Sequence, residues 1–234
     1  MIRAIRGLLR LPRLSNLPPP FLKAPAAGFP LVSVLIPARD EAEALPSALE
    51  SLLAQDYPSL EIIVVNDRSA DATPAIVDAF AARDSRVHPV HVHELSSGWL
   101  GKPHALISGY QSASGDWLLF TDADVHYAPD AISRAVTLAQ RNGWDYLTLL
   151  PKAIMHGFWE PVILTYWGIG FVTAFESWRV SDPNSRAYLG LGAFQLVTRA
   201  AYERLGTHRR LALEVVEDIM LGKLAKFSGA RCGV

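Results

Sequence analysis

The fold of this chain is decided by LVSVLIPARDEAEALPSALESLLAQDYPSLEIIVVN, residues 31–66. Its first seven residues are apolar and largely β-branched, and they end at a proline, as a buried parallel strand does. Leucines then recur at helical spacing, which predicts an amphipathic helix over 43–55. EIIVVN, at 61–66, is a second buried strand. A strand, a helix and a second strand of these lengths predict a parallel β-α-β unit.

The same alternation continues along the chain. Thr73 followed by Pro74 predicts an N-cap and a first-turn proline for a helix that runs to about Arg83. Strands are predicted over 87–92, 116–122, 146–150 and 193–197, with another starting within 230–234, and helices over 102–113, 129–142, 199–205 and 216–227. We therefore expect an α/β domain over 30–234, with a Rossmann-like, mostly parallel sheet flanked by helices.

Composition excludes several classes of protein. Half of the 234 residues are hydrophobic and the formal net charge is -1, so neither a disordered chain nor a nucleic-acid partner is expected. Cys232 is the one cysteine, which rules out a disulfide within the chain and suits a reducing compartment.

The first 29 residues differ in character from the rest. They contain five basic residues and no acidic one: Arg3, Arg6, Arg10, Arg13 and Lys23. The arginines share one side of a helical wheel until Pro12, which predicts a short helix on an anionic membrane surface; a frayed basic tail is the alternative. The proline-rich stretch 17–30 is typical of a stiff linker.

A long apolar segment lies at 158–175. Glu160 and Pro161 interrupt it, and it is shorter than the roughly 20 apolar residues that a membrane span needs. Its tryptophans and tyrosine favour an interfacial or re-entrant helix. A buried core helix and an apolar acceptor groove remain open as alternatives.

Two carboxylates follow the strand predicted over 116–122. In parallel sheets ligands bind beyond the carboxyl ends of the strands, so Asp122 and Asp124 are expected to face a crevice. Two oxygen ligands at this spacing can hold Mg²⁺ or Mn²⁺, which would neutralise a diphosphate leaving group. Acidic residues also end strands as ordinary turn formers. The pair alone therefore does not indicate a metal site, and the neighbouring motifs must be considered with it.

That context is an ordered series of motifs: PARDE at 37–41, NDRS at 66–69, GWLGK at 98–102, TDAD at 121–124 and Glu217-Asp218. The series resembles the family-2 glycosyltransferases of the GT-A fold over residues 31–234. The wording GWLGKPHAL and TDADVHYAPD is most similar to the membrane-associated branch that acts on lipids, which includes the hopene-associated and carotenoid glycosyltransferases.

The resemblance implies a role for each matching position. Asp218 would be the general base, and Asp122 and Asp124 would hold the metal. Asp67 would accept a hydrogen bond from the nucleotide base, and Lys102 would reach the phosphates. The full set of expected nucleotide-sugar-binding residues is Pro37, Ala38, Arg39, Glu41, Asp67, Lys102, Asp122, Gln195 and Glu217. Gly190 and Gly192 would shape the loop beside the sugar or the acceptor.

The resemblance also implies an activity: inverting, metal-dependent transfer of a sugar from a nucleotide-sugar donor, such as a UDP-sugar, to a lipid or polyprenyl-type hydroxyl at the cytoplasmic face of the membrane. Two features depart from the family. Asp40 stands where Asn is more frequent, and neither a Q-x-x-R-W motif nor membrane helices follow Glu217-Asp218. We therefore expect a piece of a longer membrane enzyme. The alternative is a nucleotide- or membrane-binding module without turnover.

Another class, the sugar-phosphate nucleotidyltransferases, shares the β-α layout. Those enzymes need a glycine-rich loop after the first strand to hold a triphosphate, and PARDEAEAL at 37–45 contains no glycine. This class is therefore disfavoured.

Overall fold

A computed structural model describes Leu14, residues 28–155 and residues 157–234. The basic N-terminal helix expected around Arg3 to Arg13 lies outside these residues, so it stays a prediction.

Seven strands form one sheet in the described part of the chain, in the order β3-β2-β1-β4-β6-β5-β7. They are β1 Val32–Ala38, β2 Leu60–Asp67, β3 Val87–Val92, β4 Trp117–Phe120, β5 Tyr146–Thr148, β6 Gln195–Thr198 and β7 Cys232–Gly233. Every pairing is parallel except those of β6, which runs antiparallel to both β4 and β5. The predicted mostly parallel α/β sheet is confirmed, and the reversed direction of β6 is new.

Helices cover both faces of the sheet. They are α1 Leu45–Leu53, α2 Thr73–Arg83, α3 Gly101–Ser112, α4 Ala131–Asn142, α5 Trp159–Ala174, α6 Arg199–Arg204 and α7 Glu217–Phe227, with 3-10 turns at Ser177–Arg179 and His208–Leu211. Apolar residues of α1, α2 and α4 share one core cluster, and those of α3, α6 and α7 share another. The sheet therefore lies between two helical layers, and its strand ends are left free to form a site.

Helix α2 begins differently from the prediction. Its N-cap is Ala72, so the expectation that Thr73 caps the helix is wrong. Asp71 Oδ1 accepts the hydrogen bond from the Thr73 N–H at 2.9 Å, which leaves the Thr73 hydroxyl free to accept one from the Glu41 N–H at 2.9 Å. The threonine therefore ties the loop after β1 to the start of α2.

Helix α5 is apolar on every side and yet exposed. Val172 alone of its sixteen residues is buried, whereas Trp159 is 70% exposed and Tyr166 82% exposed. The expectation of a buried core helix is therefore wrong for the described structure. Sixteen residues give a helix of about 24 Å. None of the described helices has the length and apolarity to cross a bilayer.

Glu61 connects three strands at the end of the sheet opposite the free carboxyl ends. It is the second residue of β2, and its carboxylate accepts hydrogen bonds from the hydroxyl groups of Ser33 and Ser114, from the Ser114 N–H at 2.7 Å and from the Gly115 N–H at 3.1 Å. Burial raises the pKa of Glu61, but these hydrogen bonds outweigh it and hold the pKa below its ordinary value.

Replacing Glu61 with Gln should lower the free energy of unfolding at pH 7 by roughly 1–2 kcal/mol, because four donors lose a charged acceptor. The folded pKa lies below the unfolded one, so this stabilisation is present above the unfolded pKa and is lost as the pH falls through the folded pKa. Urea unfolding at pH 7 and pH 3 measures both effects. Glu50→Gln, which breaks the exposed ion pair with Arg83, is the control and should change little. An equal loss at both pH values would contradict this assignment.

Candidate functional site

The loops that follow β1 and β2 are interlocked. Asp40 has a positive φ of 55°, a backbone conformation that Asp and Asn tolerate better than most residues. Its N–H donates to the Ser69 hydroxyl at 3.0 Å, and its Oδ1 accepts a hydrogen bond from the Ala70 N–H at 2.7 Å. Both loops therefore hold one arrangement at the carboxyl ends of their strands. The Asp in place of the family's Asn suits this geometry.

A cleft of about 560 Å³ opens beside these loops. It is lined by residues from the ends of β1, β2 and β4 and from the start of α3: Pro37, Ala38, Arg39, Glu41, Asp67, Gly101, Lys102, Ala105, Asp122, Ala123 and Asp124. The structure thus brings together every predicted donor-site residue except Gln195 and Glu217. A cavity of this size suits a nucleotide-sized ligand.

Asp67 lies at the floor of the cleft and is only 3% exposed. Its two carboxylate oxygens accept hydrogen bonds from Arg68 Nε and Nη2, at 2.8 and 2.9 Å. A Cβ on Gly101 would lie 2.9 Å from Asp67 Oδ2, so the first residue of α3 can approach this closely because it is glycine. Sequence reasoning missed Arg68, whose positive φ of 57° is invisible in the sequence.

Lys102 bridges two carboxylates at the back of the cleft. Its ammonium nitrogen lies 2.6 Å from Asp122 Oδ1 and 2.9 Å from Glu217 Oε1. Burial lowers the pKa of Lys102, but the two carboxylates outweigh it and raise the pKa above its ordinary value. Glu217 is 4% exposed, and its burial raises its pKa although Lys102 opposes the shift. The lysine therefore stays charged, and it makes the burial of Glu217 tolerable.

The mouth of the cleft is acidic. Burial raises the pKa of Glu41, and the carboxylates of Asp124 and Asp122 raise it further, followed by those of Asp71 and Asp40. Crowded carboxylate oxygens are the donors that Mg²⁺ and Mn²⁺ prefer. Within the described residues no group of three His, Cys, Asp or Glu side chains is arranged to hold an ion by itself. Asp122 and Asp124 thus offer the oxygen donors that such an ion takes, and an ion held there would need further ligands from outside the described residues.

Gly192 lies between Asp122 and Asp218. A Cβ at this position would lie 2.5 Å from Asp122 Oδ2, so the absence of a side chain leaves room for that carboxylate. The Gly192 N–H donates to Asp218 Oδ2 at 2.9 Å, and the Ile219 N–H donates to Asp218 Oδ1 at 2.7 Å. Gly192 thus fixes the spacing between Asp122, the predicted metal ligand, and Asp218, the predicted base. Asp218 does not line the cleft.

Gln195 is buried and does not line the cleft. Its Oε1 accepts a hydrogen bond from the Tyr146 hydroxyl at 2.6 Å, and it borders a small cavity that Lys102 and Glu217 also line. A Cβ on Gly190 would clash with the Asp218 carbonyl oxygen, and one on Gly222 would clash with the Leu189 carbonyl oxygen. The loop around residue 190 therefore packs backbone to backbone on α7.

His208 is a second residue that sequence reasoning missed. It is 1% exposed and borders the same small cavity. The Tyr202 hydroxyl accepts a hydrogen bond from the His208 N–H at 3.0 Å and lies 2.6 Å from Nδ1, so it donates to Nδ1 and leaves the ring proton on Nε2. Burial, helped by Lys102, lowers the pKa of His208 to about 3, which keeps it neutral.

Comparisons with known proteins identify the family to which this chain belongs. A family model described as "Glycosyl transferase family 2" matches residues 33–172. The 4,4'-diaponeurosporenoate glycosyltransferase of Staphylococcus haemolyticus is 28% identical over 196 residues, which are 82% of this chain and 50% of that protein. The Staphylococcus aureus (strain MRSA252) protein of the same name is 27% identical over 198 residues, again 82% and 50%. The chain thus spans about half the length of the curated relatives it matches.

Solved structures share the fold. A mannosyltransferase from Pyrobaculum calidifontis, in complex with GDP-Man and Mn²⁺, gives a TM-score of 0.69 at 24% identity, over 100% of this chain and 60% of that one. TarS 1-349 from S. aureus, in complex with UDP-GlcNAc, gives 0.61 at 21% identity, over 87% and 56%. The sheet, the cleft and the family match agree: the chain belongs to glycosyl transferase family 2 and has the GT-A fold.

Proposed function

We propose that this chain transfers a sugar from a nucleotide-sugar donor, such as a UDP-sugar, to a hydroxyl of a lipid-like acceptor, with inversion and with the help of a divalent metal. One observation carries the proposal. Three strand ends and the first turn of α3 bring a nucleotide-sized cleft, a cation and an acidic mouth to one place.

The donor would lie along the cleft with its base near Asp67 and its diphosphate near Lys102. Arg68 holds the Asp67 carboxylate by both oxygens, which orients it before a ligand arrives. Lys102 offers a compact positive charge, which suits phosphate oxygens. In the free protein that charge is shared by Asp122 and Glu217, so the diphosphate would compete with Asp122 for the ammonium.

Asp122 and Asp124 would hold Mg²⁺ or Mn²⁺, with diphosphate oxygens and water as the remaining ligands. A metal ion bound there supplies a positive charge that stabilises the departing diphosphate. The mannosyltransferase of P. calidifontis, which shares the fold, was solved with Mn²⁺, and this supports the choice of ion.

Asp218 would act as the general base. It would take the proton of the acceptor hydroxyl while the acceptor oxygen bonds to the anomeric carbon and the bond from that carbon to the diphosphate breaks. One such displacement inverts the configuration at that carbon. The N–H groups of Gly192 and Ile219 hold the carboxylate in place, so its orientation is set before the acceptor binds.

The acceptor side favours an apolar molecule. Leu213 is 69% exposed and Val215 82% exposed, and both lie just before the helix that carries Asp218. Exposed aliphatic side chains next to a reacting group suit a lipid chain. The curated relatives are named as diaponeurosporenoate glycosyltransferases, which supports the same class of acceptor. An acceptor of this kind would be reached by a peripheral enzyme, or part of a membrane enzyme, on the cytoplasmic face, with α5 in the interface.

Replacing Asp218 with Asn should lower UDP-sugar hydrolysis, with water as the acceptor, by about 10²–10⁴-fold, because the amide cannot take the proton. The Asn Oδ1 can still accept the Gly192 N–H, so UDP affinity should stay within about twofold. Product release and isothermal titration measure the two quantities. Asp56→Asn, an exposed position, is the matched control. UDP binding in a wild-type protein without any turnover would support the binding-module alternative.

Replacing Asp124 with Asn should weaken Mn²⁺-dependent UDP binding by about tenfold or more, since even outer contacts of metal sites matter that much. Titration of UDP with Mn²⁺ and with EDTA checks this. The variant and the wild type should bind equally weakly in EDTA, which is the control. If the wild type bound UDP with the same affinity in Mn²⁺ and in EDTA, the proposed metal site would be contradicted.

Replacing Lys102 with Gln should weaken UDP binding by about tenfold, because a positive charge is lost from the diphosphate site. The affinity for Mn²⁺ without nucleotide should not fall, since Asp122 loses its competing cation. Lys226→Gln is the control: it removes a lysine of α7 that donates to the carbonyl groups of Val180 and Asp182. A parallel loss of Mn²⁺ and UDP affinity in the Lys102 variant would show general damage instead.

A further inference from the structure

A row of aromatic rings connects α5 to the C-terminal end of α7. Trp167 stacks on Phe171 with centroids 5.7 Å apart, and Phe171 contacts Phe175 at 4.8 Å. Phe175 meets Tyr188 at 5.9 Å, and Tyr188 meets Phe227 at 6.2 Å. We call these five rings, with Arg186 and Lys223, the aromatic surface.

The two ends of this row are open to solvent. Trp167 is 67% exposed and Phe227 is 51% exposed, although both are large apolar side chains. Phe171 and Phe175 pack on the core cluster that contains Leu221 and Ala225 of α7, so the α5 part of the row is attached to the domain. A contiguous exposed apolar surface of this kind marks an interaction site.

Two cations lie over the rings. Arg186 Cζ is 5.3 Å from the centroid of Phe227, and Lys223 Nζ is 5.9 Å from that of Tyr188. Within the described residues neither forms an ion pair with a carboxylate, whereas the nearby Arg179 is neutralised by Glu176 at 2.7 Å. The charges of the aromatic surface are therefore available to an anionic partner.

We propose that the aromatic surface binds the interfacial region of an anionic lipid bilayer. Aromatic rings with basic side chains beside them are the combination that membrane interfaces favour, since the rings enter the headgroup layer and the cations contact anionic lipids. A second copy of this chain fits less well, because a two-fold contact would bury the same surface on both copies and so place four unpaired cations in one interface. The occupant that matches both the rings and the charges is a lipid surface.

This contact would fix the position of the predicted base. Asp218 and Phe227 lie at opposite ends of α7, which puts them about 14 Å apart along the helix axis. A bilayer that holds Phe227 would thus hold Asp218 at a set height above the headgroups. This consequence for catalysis rests on the proposed function, which already places α5 in the interface; lipid binding by the aromatic surface can be measured without any turnover.

Cosedimentation with phosphatidylcholine vesicles, with and without phosphatidylglycerol, tests the proposal on the full chain. The wild type should bind more tightly to the anionic vesicles. Arg186→Gln with Lys223→Gln should lower that binding by about 30-fold, because each basic residue near an anionic surface contributes roughly fivefold. Phe227→Ser should weaken binding to both kinds of vesicle, since it removes apolar contact.

Arg83→Glu is the control. It removes as much charge as the double variant, but it lies on α2, which packs on β3 at the other edge of the sheet. Its vesicle binding should match that of the wild type.

The basic residues of 1–29 are unchanged in every variant, so they do not explain a difference. Binding of the double variant within twofold of the wild type would overturn the proposal, as would a dimer in sedimentation that Phe227→Ser dissociates. UDP titration of the same samples reports on the donor site separately.

Discussion

The ammonium of Lys102 lies between carboxylates that belong to two different parts of the fold. Asp122 follows β4 and lines the cleft, whereas Glu217 begins α7, which comes after β6 in the chain. A buried carboxylate without a cation would be costly, so the lysine makes it possible for α7 to start at this place. Asp218 follows Glu217 directly, and its position therefore depends on the same charge. The cleft and the proposed base are coupled by one side chain.

Glycines complete this arrangement where side chains would obstruct it. Gly192 gives Asp122 its room and donates its N–H to Asp218, while Gly101 allows α3 to begin against Asp67. These are close approaches of backbone to carboxylate, and a side chain at either glycine would displace the carboxylate beside it.

Much of this could be predicted from local sequence. Apolar runs such as 61–66 and leucine spacing such as that over 43–55 predicted strands and helices within a few residues of their observed bounds. The position of Asp122 and Asp124 after a strand predicted that they face a crevice, because the carboxyl ends of parallel strands share one edge. The other predicted residues of the cleft came from the resemblance to the family. Other features depend on partners distant in sequence: the reversed direction of β6, the turn of Gln195 toward Tyr146 and the burial of His208. A pattern of apolar residues does not specify which neighbour a strand or a side chain finds. Thr73 shows the same limit locally, since Asp71 displaced it from the cap.

The contact between Gly222 and the Leu189 carbonyl oxygen has a use in recognising similar sites. Gly222 follows Asp218 by four residues, about one helical turn, so both lie on the same side of α7. When the backbone of a loop contacts the helix face that carries the carboxylate, a larger side chain one turn later would collide with the loop. That position therefore requires a small residue. In a sequence without a solved structure, an acidic residue followed four positions later by glycine would indicate a helix that packs on such a loop. Acidic residues at the start of a helix that faces only water need no such glycine.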